Sequence, residues 1–477
     1  MLFFKFRLQA GASLLPLLAL VAAKQYKYII PGADLLDEDG VLIQAHGGQI
    51  VRHGSKFYWF GEDHSPGEHI LRAFQCAYPH HPLFIKEIVL MCYSSNDLYN
   101  WKNEGHAFNP VPGTQLASDQ VGERPKVVYS PEIDKWVMYI HADNTNYGLH
   151  LQAMALADKV QGPYALQAIY NPPGQASQDM GLLLDDDGSA DSLYGSGGNN
   201  DITTLTPDLT NQSHIVSQFS GTNLEAPGML HSKGLYYHFF NGLLPNDAQY
   251  FTAPAISGPW SARKQLTPPG KFTYESQNTF ELKIAGTKNT TFIIMGDRWD
   301  QDELSDSRYM WLPLVLDEET GAAGMAWRDV WTVDVGTGEV GFPQGVGYEA
   351  QAGTLRGGAS VVACAGCSEG LVVTNIARSS SVIVSGVFGR NKPQWIALHY
   401  VNPDDQIISG LQRLVSVSIN GGAPVILKQR TTAANVTMSI PFEAYLEKGV
   451  LNNITVTGTS AEPAADFDRL IVYPDTP

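Results

Sequence analysis

The segment Asn223-Leu-Glu-Ala-Pro-Gly-Met-Leu-His-Ser-Lys-Gly-Leu-Tyr-Tyr-His-Phe-Phe-Asn-Gly242 decides the fold. A short apolar run is followed by a polar turn at positions 231–234 and by an aromatic run at 235–240, a pattern that predicts a β-hairpin. Glu225 stands at the start of the first strand, where a single glutamate is ordinarily solvated. The same layout recurs elsewhere in the chain, and this recurrence makes Glu225 a candidate functional residue and not only a solvated one.

Four other segments repeat this hairpin with a polar residue near the start of the first strand, at positions 46–62, 123–141, 179–195 and 277–296. Intervals of 56, 46 and 52 residues separate Glu123, Asp179, Glu225 and Gln277. A hairpin unit repeated at such a period predicts a five-bladed β-propeller. Because the first strand of each blade lines the central channel, we expect these four side chains to converge on one cavity.

The beginning of the chain predicts export. Residues 1–23 resemble a signal peptide, since Lys5 and Arg7 precede an apolar run that ends in small residues. That run is too short to cross a bilayer, and no other stretch approaches the necessary length. We therefore expect a secreted, extracellular monomer without a membrane partner. The net charge of −17 and the pI of about 5.1 argue against a nucleic-acid partner, whose phosphates require a basic surface.

Composition divides the rest of the chain into two units. Positions 24–334 are rich in strand and turn signals and lack the spacing of amphipathic helices, which predicts an all-β domain. A Gly-rich stretch at 335–347 predicts a linker. Short β runs at regular spacing predict a β-sandwich of the jelly-roll type at 348–477. Two cores on either side of a linker should fold separately, so the first unit is expected to function without the second.

Four cysteines form two local pairs, Cys76 with Cys92 and Cys364 with Cys367. In an oxidising compartment each pair is expected to form a disulfide, and buried free thiols are the alternative. N-x-Ser/Thr sequons, which predict N-glycosylation at some of the sites, begin at Asn211, Asn289, Asn435 and Asn453.

Motifs at the hairpin starts resemble those of glycoside hydrolase family 43, and in particular of its exo-β-1,3-galactanases. They are Gly-Glu-Arg-Pro-Lys-Val at 122–127, Gln-Asp-Met-Gly-Leu at 178–182, Gly-Gly-Asn-Asn-Asp at 197–201, Leu-Glu-Ala-Pro at 224–227 and Ser-Gln-Asn-Thr at 276–279. Each is weak alone, but five in order form a specific signature over residues 26–334. The resemblance implies a polysaccharide substrate, the β-1,3-galactan backbone of arabinogalactan, from which galactose is released with inversion and without a catalytic cofactor.

Inverting glycoside hydrolysis requires two groups. A protonated acid acts on the leaving oxygen, and a group about 6.5–9.5 Å away activates water on the opposite face of the sugar. We predict Glu225 as the acid, because a carboxyl group crowded by other carboxylates has a raised pKa. Asp179 would supply the neighbouring charge. The resemblance assigns the same two roles.

The first blade departs from the family pattern, in which an Asp base follows Ala-His or Ala-Arg, because here Ala45-His46 precedes Gly47. In the galactanase branch a Gln of the fifth blade is thought to hold the water, and Gln277 matches it. An amide has to act through its imidic tautomer or by positioning the water alone. Glu123, with Arg124 as a potential ion-pair partner, is the rival carboxylate; the resemblance makes it a substrate-binding residue. The resemblance also implies that the terminal galactose is bound by Glu62, Tyr147, Asn199 and Asn200, with ordinary loop polar groups as the alternative.

The C-terminal unit resembles a family 35 carbohydrate-binding module. The matching segments are Tyr-Glu-Ala-Gln at 348–351, the Cys-Ala-Gly-Cys turn, Ser-Ile-Asn-Gly-Gly at 418–422 and Asp-Phe-Asp-Arg-Leu-Ile-Val-Tyr at 466–473. The resemblance implies a structural Ca²⁺ held by Glu349 and Asp468, with Gln351 where a second Glu is usual. A carboxylate pair without metal is the alternative.

Two other functions stay open at this point. A family 43 arabinofuranosidase or xylosidase is disfavoured by Gly47, which stands where those enzymes carry Asp. A non-catalytic galactan-binding lectin is disfavoured by the Glu225–Asp179 pair, since binding alone does not need an acid with a raised pKa.

Overall fold

The computed structural model describes residues 24–474 apart from positions 66–88, 175, 197–198, 221–223, 243–247, 269–271, 301–302, 318, 405–411 and 433–436. The predicted signal peptide at 1–23 lies outside the described residues. Within them, helix is confined to short 3-10 turns at Phe272–Tyr274, Leu304–Asp306, Ala350–Ala352 and Ser368–Gly370. The fold is therefore all-β, as predicted. No helix of this described part is long and apolar enough to cross a membrane.

In the part of the chain that the structure describes, the strands between positions 46 and 325 form five antiparallel sheets of four strands each. The first two sheets contain β1 (His46–His53), β2 (Lys56–Glu62), β3 (Leu90–Ser95) and β4 (Lys102–Phe108), then β5 (Val121–Ser130), β6 (Lys135–Asp143), β7 (Leu151–Ala157) and β8 (Ala165–Tyr170). The third contains β9 (Asp179–Leu184), β10 (Ala190–Ser196), β11 (Asn199–Leu205) and β12 (Gln212–Phe219). The last two contain β13 (Leu224–Ser232), β14 (Leu235–Gly242), β15 (Ala248–Ala253) and β16 (Lys264–Gln265), then β17 (Gln277–Ala285), β18 (Thr290–Arg298), β19 (Arg308–Asp317) and β20 (Ala322–Met325). In every sheet the strands follow one another in chain order.

The hairpin predicted in the segment 223–242 is confirmed. Lys233 and Gly234 join β13 to β14 and have φ angles of 49° and 79°. Positive φ at both turn positions is the type I′ geometry, whose twist matches that of the paired strands. Met229 packs in the apolar cluster shared with the third sheet, and Leu230 in the cluster shared with the fifth. Alternate residues of β13 therefore contribute to two different cores.

The first strands of the five sheets are arranged as a ring. β1, β5, β9, β13 and β17 contact one another in this order, and β17 contacts β1. The apolar cores lie between neighbouring sheets; Trp59 of β2, for example, packs against Trp311 of β19 with ring centroids 4.7 Å apart. Ile29 and Trp331 exchange two backbone hydrogen bonds of 2.8 and 3.0 Å, which join the start of the described chain to the segment after the fifth sheet. The leading residues of the first strands are thereby brought to one centre.

Two further sheets follow in the C-terminal unit. After the short pair β21 (Thr332–Val333) and β22 (Val340–Gly341), the strands are β23 (Val346–Glu349), β24 (Thr354–Arg356), β25 (Ser360–Ala363), β26 (Leu371–Thr374), β27 (Ser381–Gly389), β28 (Lys392–Val401), β29 (Arg413–Ile419), β30 (Val425–Gln429), β31 (Met438–Leu446), β32 (Gly449–Gly458) and β33 (Asp466–Val472). One sheet contains β23, β25, β26, β28, β31 and β33, and the other contains β24, β27, β29, β30 and β32. Both contribute to a single core, in which Val384 and Val456 of the second sheet share a cluster with Leu398 and Phe467 of the first.

The Gly-rich stretch at 335–347 is ordered, in contrast to the linker that its composition predicts. β21 pairs with β22, and the intervening turn approaches the fifth sheet, where the backbone N–H groups of Lys288 and Asn289 donate to the carbonyl of Thr337 at 3.0 and 2.9 Å. Gly338 has a φ of 75°, and a Cβ atom there would lie 2.0 Å from the carbonyl oxygen of Asn289. Glycine is therefore required by this close approach rather than by flexibility.

A buried polar cluster connects the five-sheet unit with the C-terminal unit. Asp329 accepts hydrogen bonds from His399 (2.7 Å), Ser439 (2.6 Å) and Tyr473 (2.8 Å). Burial by itself would raise the pKa of Asp329, but the charge of His399 and these hydrogen bonds hold it far below its usual range. The two units thus share a solvent-excluded charged contact, which argues against the separate folding expected from the sequence.

The two predicted disulfides have different outcomes. Cys364 and Cys367 are bonded, as predicted. The predicted bond between Cys76 and Cys92 cannot be compared, because Cys76 lies outside the described residues; within them Cys92 is buried and joined to no other cysteine. Cys92 belongs to the apolar core between the first and second sheets, together with Phe60. Enclosure by apolar side chains separates its sulfur from the surface and raises the pKa of the thiol well above its ordinary value.

Candidate active site

Backbone irregularities position the glutamates of two first strands. Strand pairing skips two residues directly after Glu123 in β5 and directly after Glu225 in β13. The next residues, Arg124 and Ala226, have φ angles of 54° and 52°. A β-bulge of this kind bends the strand and changes the direction of its side chains. The proline that follows in each motif is tolerated because the hydrogen-bond ladder is interrupted there.

Glu225 has the protonation behaviour that a general acid requires. Asp179, at the start of β9, accepts a hydrogen bond from the backbone N–H of Ala226 at 2.8 Å. It also forms an ion pair with Arg124, whose Nε lies 3.0 Å from Oδ1. Burial and then the charge of Asp179 raise the pKa of Glu225 from 4.5 to about 7, against the opposing effects of Arg124 and Gln277. The sequence prediction that Asp179 lies beside Glu225 is confirmed by this interaction.

Gln277, at the start of β17, is held by three side chains. Its Oε1 accepts hydrogen bonds from Nη2 of Arg124 at 2.5 Å and from the indole Nε1 of Trp299 at 2.9 Å. Its Nε2 donates to Oε2 of Glu225 at 3.2 Å. Guanidinium and indole groups are donors only, so the oxygen of the amide has to face them and its nitrogen has to face the carboxylate. The orientation of the amide is thus fixed by chemistry.

This orientation also bears on whether Gln277 is present as an imidic tautomer or as an ordinary amide. An imidic tautomer would carry a proton on Oε1, where Arg124 and Trp299 already present two N–H groups. Both lone pairs of that oxygen are occupied by donors, which stabilises the ordinary amide. The second hydrogen of Nε2 remains for a water or sugar oxygen. The hydrogen-bond pattern therefore accommodates the ordinary amide form of Gln277.

Glu225 and Gln277 are closer together than the sequence analysis expects for an acid and a water-side residue. Oε2 of Glu225 and Nε2 of Gln277 are 3.2 Å apart, compared with the roughly 6.5–9.5 Å expected for inverting carboxyl pairs. The wider range leaves room for the attacking water between two carboxyl groups, whereas an amide N–H and a carboxylate can form a direct hydrogen bond. Oε1 of Glu225, which enters no hydrogen bond among the described residues, is the oxygen left for the acidic proton.

Glu123 is bound on both carboxylate oxygens. The hydroxyl of Tyr147 donates to Oε1 at 2.6 Å, and Nδ1 of His141 lies 3.3 Å from Oε2. Burial opposes a charge on His141, but hydrogen bonds to Asp143 and Glu123 raise its pKa from 6.5 to about 9, so the ring donates to both. A carboxylate held in this way is suited to hydrogen bonding with a sugar hydroxyl. Tyr147 reaches the site through Glu123.

Glu62 occupies the space of the missing side chain in the first sheet. Its Oε1 accepts the backbone N–H of Arg124 at 2.9 Å, and its Oε2 lies 3.0 Å from Nε2 of His64. Gly47 has a φ of 63°, and a Cβ atom there would lie 2.2 Å from Oε1 of Glu62. An aspartate at position 47 is therefore incompatible with Glu62 in its observed place. Burial raises the pKa of Glu62. The first sheet thus supplies its carboxylate from β2 instead of β1.

Asn199 and Asn200 lie at the start of β11, in the same sheet as Asp179. Gly195 of β10 pairs with Asp179 on one side and with Asn200 on the other. A Cβ atom at Gly195 would lie 2.8 Å from Oδ1 of Asn200, so the absence of a side chain permits this approach. The two asparagines are therefore two strands away from Asp179 at the same end of the sheet.

One group of described side chains in the five-sheet unit has the proximity of metal ligands, namely His141, Asp143 and His150. Nε2 of His141 lies 3.1 Å from Oδ2 of Asp143, which also accepts the backbone N–H of His150 at 3.1 Å. Because the raised pKa of His141 keeps its ring protonated, its nitrogens are donors and not ligands. The group is an ion-paired network that supports Glu123.

The predicted calcium ligands of the C-terminal unit lie around Ser368. Its hydroxyl donates to Oε1 of Glu349 at 2.8 Å, and its backbone N–H donates to Oδ1 of Asp468 at 2.9 Å. Nε2 of Gln351 bonds to Glu369 at 3.1 Å, while Oε1 of Gln351 is buried and has no partner among the described residues. Burial and then the charge of Glu349 contribute to a raised pKa of Asp468. The oxygen donors and the unsatisfied amide oxygen are of the type that Ca²⁺ prefers, but Nη1 of Arg469 lies 3.1 Å from the Ser368 hydroxyl and 3.9 Å from Oε1 of Glu349, so a cationic side chain already occupies part of this cluster.

Three of the four sequons are at exposed positions, which are Asn211, Asn289 and Asn453. Asn435 lies outside the described residues. The accessible sites are compatible with the predicted glycosylation, which stays a prediction.

Sequence reasoning missed two residues at the centre of the site. The sequence suggests Arg124 as an ion-pair partner of Glu123, but its guanidinium contacts Asp179 and Gln277 instead. The positive φ of Arg124, which could not be foreseen from the motif, turns the side chain across the centre. Trp299 lies just after β18 and outside every repeated motif, so no sequence signal indicated its contact with Gln277.

Comparisons with known proteins agree with this geometry. No protein-family model matches the sequence, and no curated protein matches it. Among solved structures, the exo-β-1,3-galactanase of Phanerochaete chrysosporium is 34% identical, with 94% of this chain and 100% of that chain aligned and a TM-score of 0.84. It has been crystallised with galactose and, with one glutamate replaced by Ala or Gln, with β-1,3-galactotriose.

Two shorter structures match the chain as well. A putative exo-β-1,3-galactanase from Bifidobacterium bifidum is 30% identical over 63% of this chain and 97% of that chain, with a TM-score of 0.56. A β-1,3-galactosidase of glycoside hydrolase family 43, crystallised with galactodeoxynojirimycin, is 29% identical over 63% of this chain and 99% of that chain, with a TM-score of 0.55.

Proposed function

Because the chain belongs to glycoside hydrolase family 43 and is a glycoside hydrolase that acts on β-1,3-galactan, we propose that it is an exo-acting, inverting galactan 1,3-β-galactosidase. The observation that carries the proposal is the Glu225 carboxyl, whose pKa of about 7 is set by burial and by Asp179. A family relative was crystallised with β-1,3-galactotriose after one of its glutamates had been replaced.

In the proposed reaction, Glu225 donates its proton from Oε1 to the oxygen of the leaving sugar. Oε2 keeps its hydrogen bond with Gln277, so that the proton is directed to the other oxygen. Water attacks the anomeric carbon as the bond to the leaving oxygen breaks, and the water loses a proton to solvent. The new hydroxyl is on the face opposite the departing group, which gives α-galactose.

Gln277 is the proposed water-side residue. Its second amide hydrogen would donate to the oxygen of the attacking water, and the bonds from Arg124 and Trp299 keep this hydrogen in a fixed direction. Holding a nucleophile in a reactive orientation can itself contribute several orders of magnitude in rate. The rival Glu123 is less suited to accept the proton, because Tyr147 and His141 already occupy its two oxygens.

The terminal galactose is bound, in this proposal, by the polar groups around the acid. They are Glu62, Glu123, Tyr147, Asn199 and Asn200. The bidentate binding of Glu62, between Arg124 and His64, supports a role in orienting sugar hydroxyls without taking part in proton transfer. An exo mode would follow if these residues close the centre behind one sugar.

The architecture completes the proposal. The ring of first strands supports a five-bladed β-propeller for residues 24–334, and the two sheets around one core support a β-sandwich carbohydrate-binding module for 348–477. Glu349, Gln351 and Asp468 would hold Ca²⁺ there and would stabilise the turn around Ser368. Calcium should then raise the thermal unfolding midpoint of the protein but not that of Asp468→Asn. An equal effect on both would remove Asp468 from the site.

Secretion is also proposed. The apolar leader at 1–23 and the Cys364–Cys367 disulfide support an oxidising, extracellular environment. An extracellular location is where a plant polysaccharide would be met.

The proposed activity is tested by incubating the purified full chain with β-1,3-galactotriose and, separately, with an aryl α-arabinofuranoside. We expect galactose from the first and no product from the second. With polymeric β-1,3-galactan as the substrate, release of galactose without intermediate oligosaccharides would support exo action. Release of arabinose without galactose would replace the proposed specificity by that of an arabinofuranosidase.

A further inference from the structure

We propose that Arg430 of the C-terminal unit is a positioning residue for hydrolysis, acting through Trp299 on the amide of Gln277. The inference rests on the proposed function of the site. It adds a component from outside the five sheets, and it makes the C-terminal unit a part of the hydrolytic machinery as well as a candidate for binding.

The path begins at the end of β30. Nη1 of Arg430 donates a hydrogen bond to the carbonyl oxygen of Trp299 at 2.5 Å, and Nη2 lies 3.7 Å from Oδ2 of Asp300. The guanidinium is mostly buried, with 18% of its side chain exposed. A charged donor on a backbone carbonyl in such surroundings forms one of the stronger types of hydrogen bond. Trp299 is thereby held by a side chain of the C-terminal unit.

The residue after Trp299 is held by the same unit. Oδ2 of Asp300 accepts hydrogen bonds from Lys428 at 2.9 Å and from Gln412 at 3.1 Å. Burial would raise the pKa of Asp300, but Lys428, Arg430 and Gln412 together lower it, so the carboxylate is ionised at neutral pH. Two consecutive residues at the end of β18 are therefore fixed by side chains of the C-terminal unit.

The path ends at the water-side amide. The indole Nε1 of Trp299 donates to Oε1 of Gln277 at 2.9 Å, and this bond helps to turn Nε2 towards Glu225. The charge of Arg430 also acts on Glu275, two residues before Gln277, and opposes the effect of burial on its pKa. Glu275 ends a run of three residues with positive φ, which leads directly into β17. Arg430 thus influences both segments that position Gln277.

Loss of Arg430 should affect turnover more than binding. Trp299 would lose the Arg430 donor on its carbonyl, its indole would deviate, and Gln277 would keep its contacts with Arg124 and Glu225 but lose the third contact that fixes its amide. Displacement of a catalytic group by about 1 Å can cost about a hundredfold in rate. For Arg430→Ala we expect kcat on β-1,3-galactotriose to fall about ten- to hundredfold, with KM unchanged within about twofold, since sugar-binding groups such as Glu123 and Glu62 are on other sheets.

The experiment compares Arg430→Ala and Arg430→Lys with the matched control Arg413→Ala. Arg413 lies in the same unit and pairs with Asp404, so its removal tests the loss of an arginine without the contact to Trp299. We expect the control to retain the wild-type kcat, and Arg430→Lys to recover part of the loss through its single ammonium donor. Equal kcat for Arg430→Ala and wild type would overturn the inference. If Arg430→Ala does not fold, Arg430→Lys takes its place, together with Trp299→Phe, which removes the indole N–H and the five-membered part of the ring.

Two further readouts separate positioning from general stability. Gln277 lowers the pKa of Glu225 by its hydrogen bond, so release of the amide should move the alkaline limb of the pH–rate profile to higher pH in Arg430→Ala and in Trp299→Phe alike. The double variant should be no slower than the slower single variant, since both act on one path. Multiplication of the two losses, or an unshifted profile, would contradict the path. Failure of the wild type to release galactose would instead overturn the proposed function.

Discussion

The side-chain amide of Gln277 donates a 3.2 Å hydrogen bond to Oε2 of Glu225, so that the proposed acid and the proposed water-side residue are in direct contact. The contact has two consequences. It favours the charged form of Glu225 and so limits the rise of its pKa. It also makes the position of each group depend on the other, and changes at one should be detected in the pH dependence of the other.

Replacement of Glu225 by Gln should abolish hydrolysis while preserving the fold. Gln keeps the shape and a hydrogen-bonding oxygen but has no proton to give to the leaving group. General acid catalysis contributes about 10²- to 10⁴-fold, so we expect at least a hundredfold loss of galactose release from β-1,3-galactotriose. Calorimetry should show that the trisaccharide still binds. Glu104→Gln, on the outer strand β4, is the control; retention of more than about a tenth of the wild-type rate by Glu225→Gln would remove Glu225 from the acid role.

The activity should decline on the alkaline side with a midpoint near pH 7. The acid works only when protonated, and burial followed by the charge of Asp179 places the pKa of Glu225 at about 7 in the folded chain, compared with 4.5 as its ordinary value. The stability contributed by the protonated group is complete below pH 4.5 and is lost as pH rises through about 7. Unfolding measured against pH should therefore show Glu225→Gln gaining stability relative to wild type between these values.

Asp179→Asn should move the alkaline limb to lower pH. The substitution removes the negative charge that raises the pKa of Glu225 and leaves the positive charge of Arg124 without its ion-pair partner. Both changes favour the ionised form of Glu225. The measurement is kcat/KM against pH with β-1,3-galactotriose. A limb that stays in place would mean that burial alone sets the pKa of the acid.

The fold was largely predictable because its signals are local. Each hairpin has an apolar first strand and a turn before the second strand, and at Lys233–Gly234 the glycine supplies one of the two positive φ angles of the type I′ turn. The order of the sheets follows from the repeat. The contact of the two units was not predictable, since Asp329 and His399 are far apart in sequence and neither belongs to a recognisable pattern. The Gly-rich composition at 335–347 does not distinguish a flexible linker from a closely packed segment, because glycine is suited to both.

The site was predictable where it repeats and not where it is unique. Glu123, Asp179, Glu225 and Gln277 each begin a first strand, and the repeat predicted their convergence. Arg124 joins them because it lies in the β-bulge after Glu123, and Trp299 joins them because it lies just after the end of β18. The incompatibility of an aspartate at position 47 with Glu62 likewise depends on a contact between two strands that only the structure reveals.

Asp329→Ala should destabilise the protein by several kcal/mol, since a buried donor left without its acceptor costs about 1–3 kcal/mol. His399, Ser439 and Tyr473 would each lose their acceptor at the contact of the two units. Chemical denaturation at pH 7 measures the change. Asp119→Ala, at an exposed position before β5, is the control and should change stability by less than about 0.5 kcal/mol.

The same contact bears on truncation after Asp334. The shortened chain would expose Asp329 and remove Arg430, so we expect lower stability and slower turnover even on short substrates. Wild-type kcat on β-1,3-galactotriose in the truncated form would restore the separate folding that the sequence indicates.

Gln277→Ala should lose activity by orders of magnitude, since an unpositioned water forfeits the advantage of orientation. Gln277→Glu is the sharper test. A carboxylate there keeps the donors Arg124 and Trp299 but adds a negative charge beside Glu225, which raises the pKa of Glu225 and moves the alkaline limb to higher pH, opposite to the shift in Asp179→Asn. We expect this variant to be partly active.

Proton NMR early in the wild-type reaction should show α-galactose, because water attacks from the face opposite the leaving group. If β-galactose appears first, the reaction retains configuration and Gln277 cannot place the water as proposed; if Gln277→Ala is fully active, the water-side role passes to Glu123.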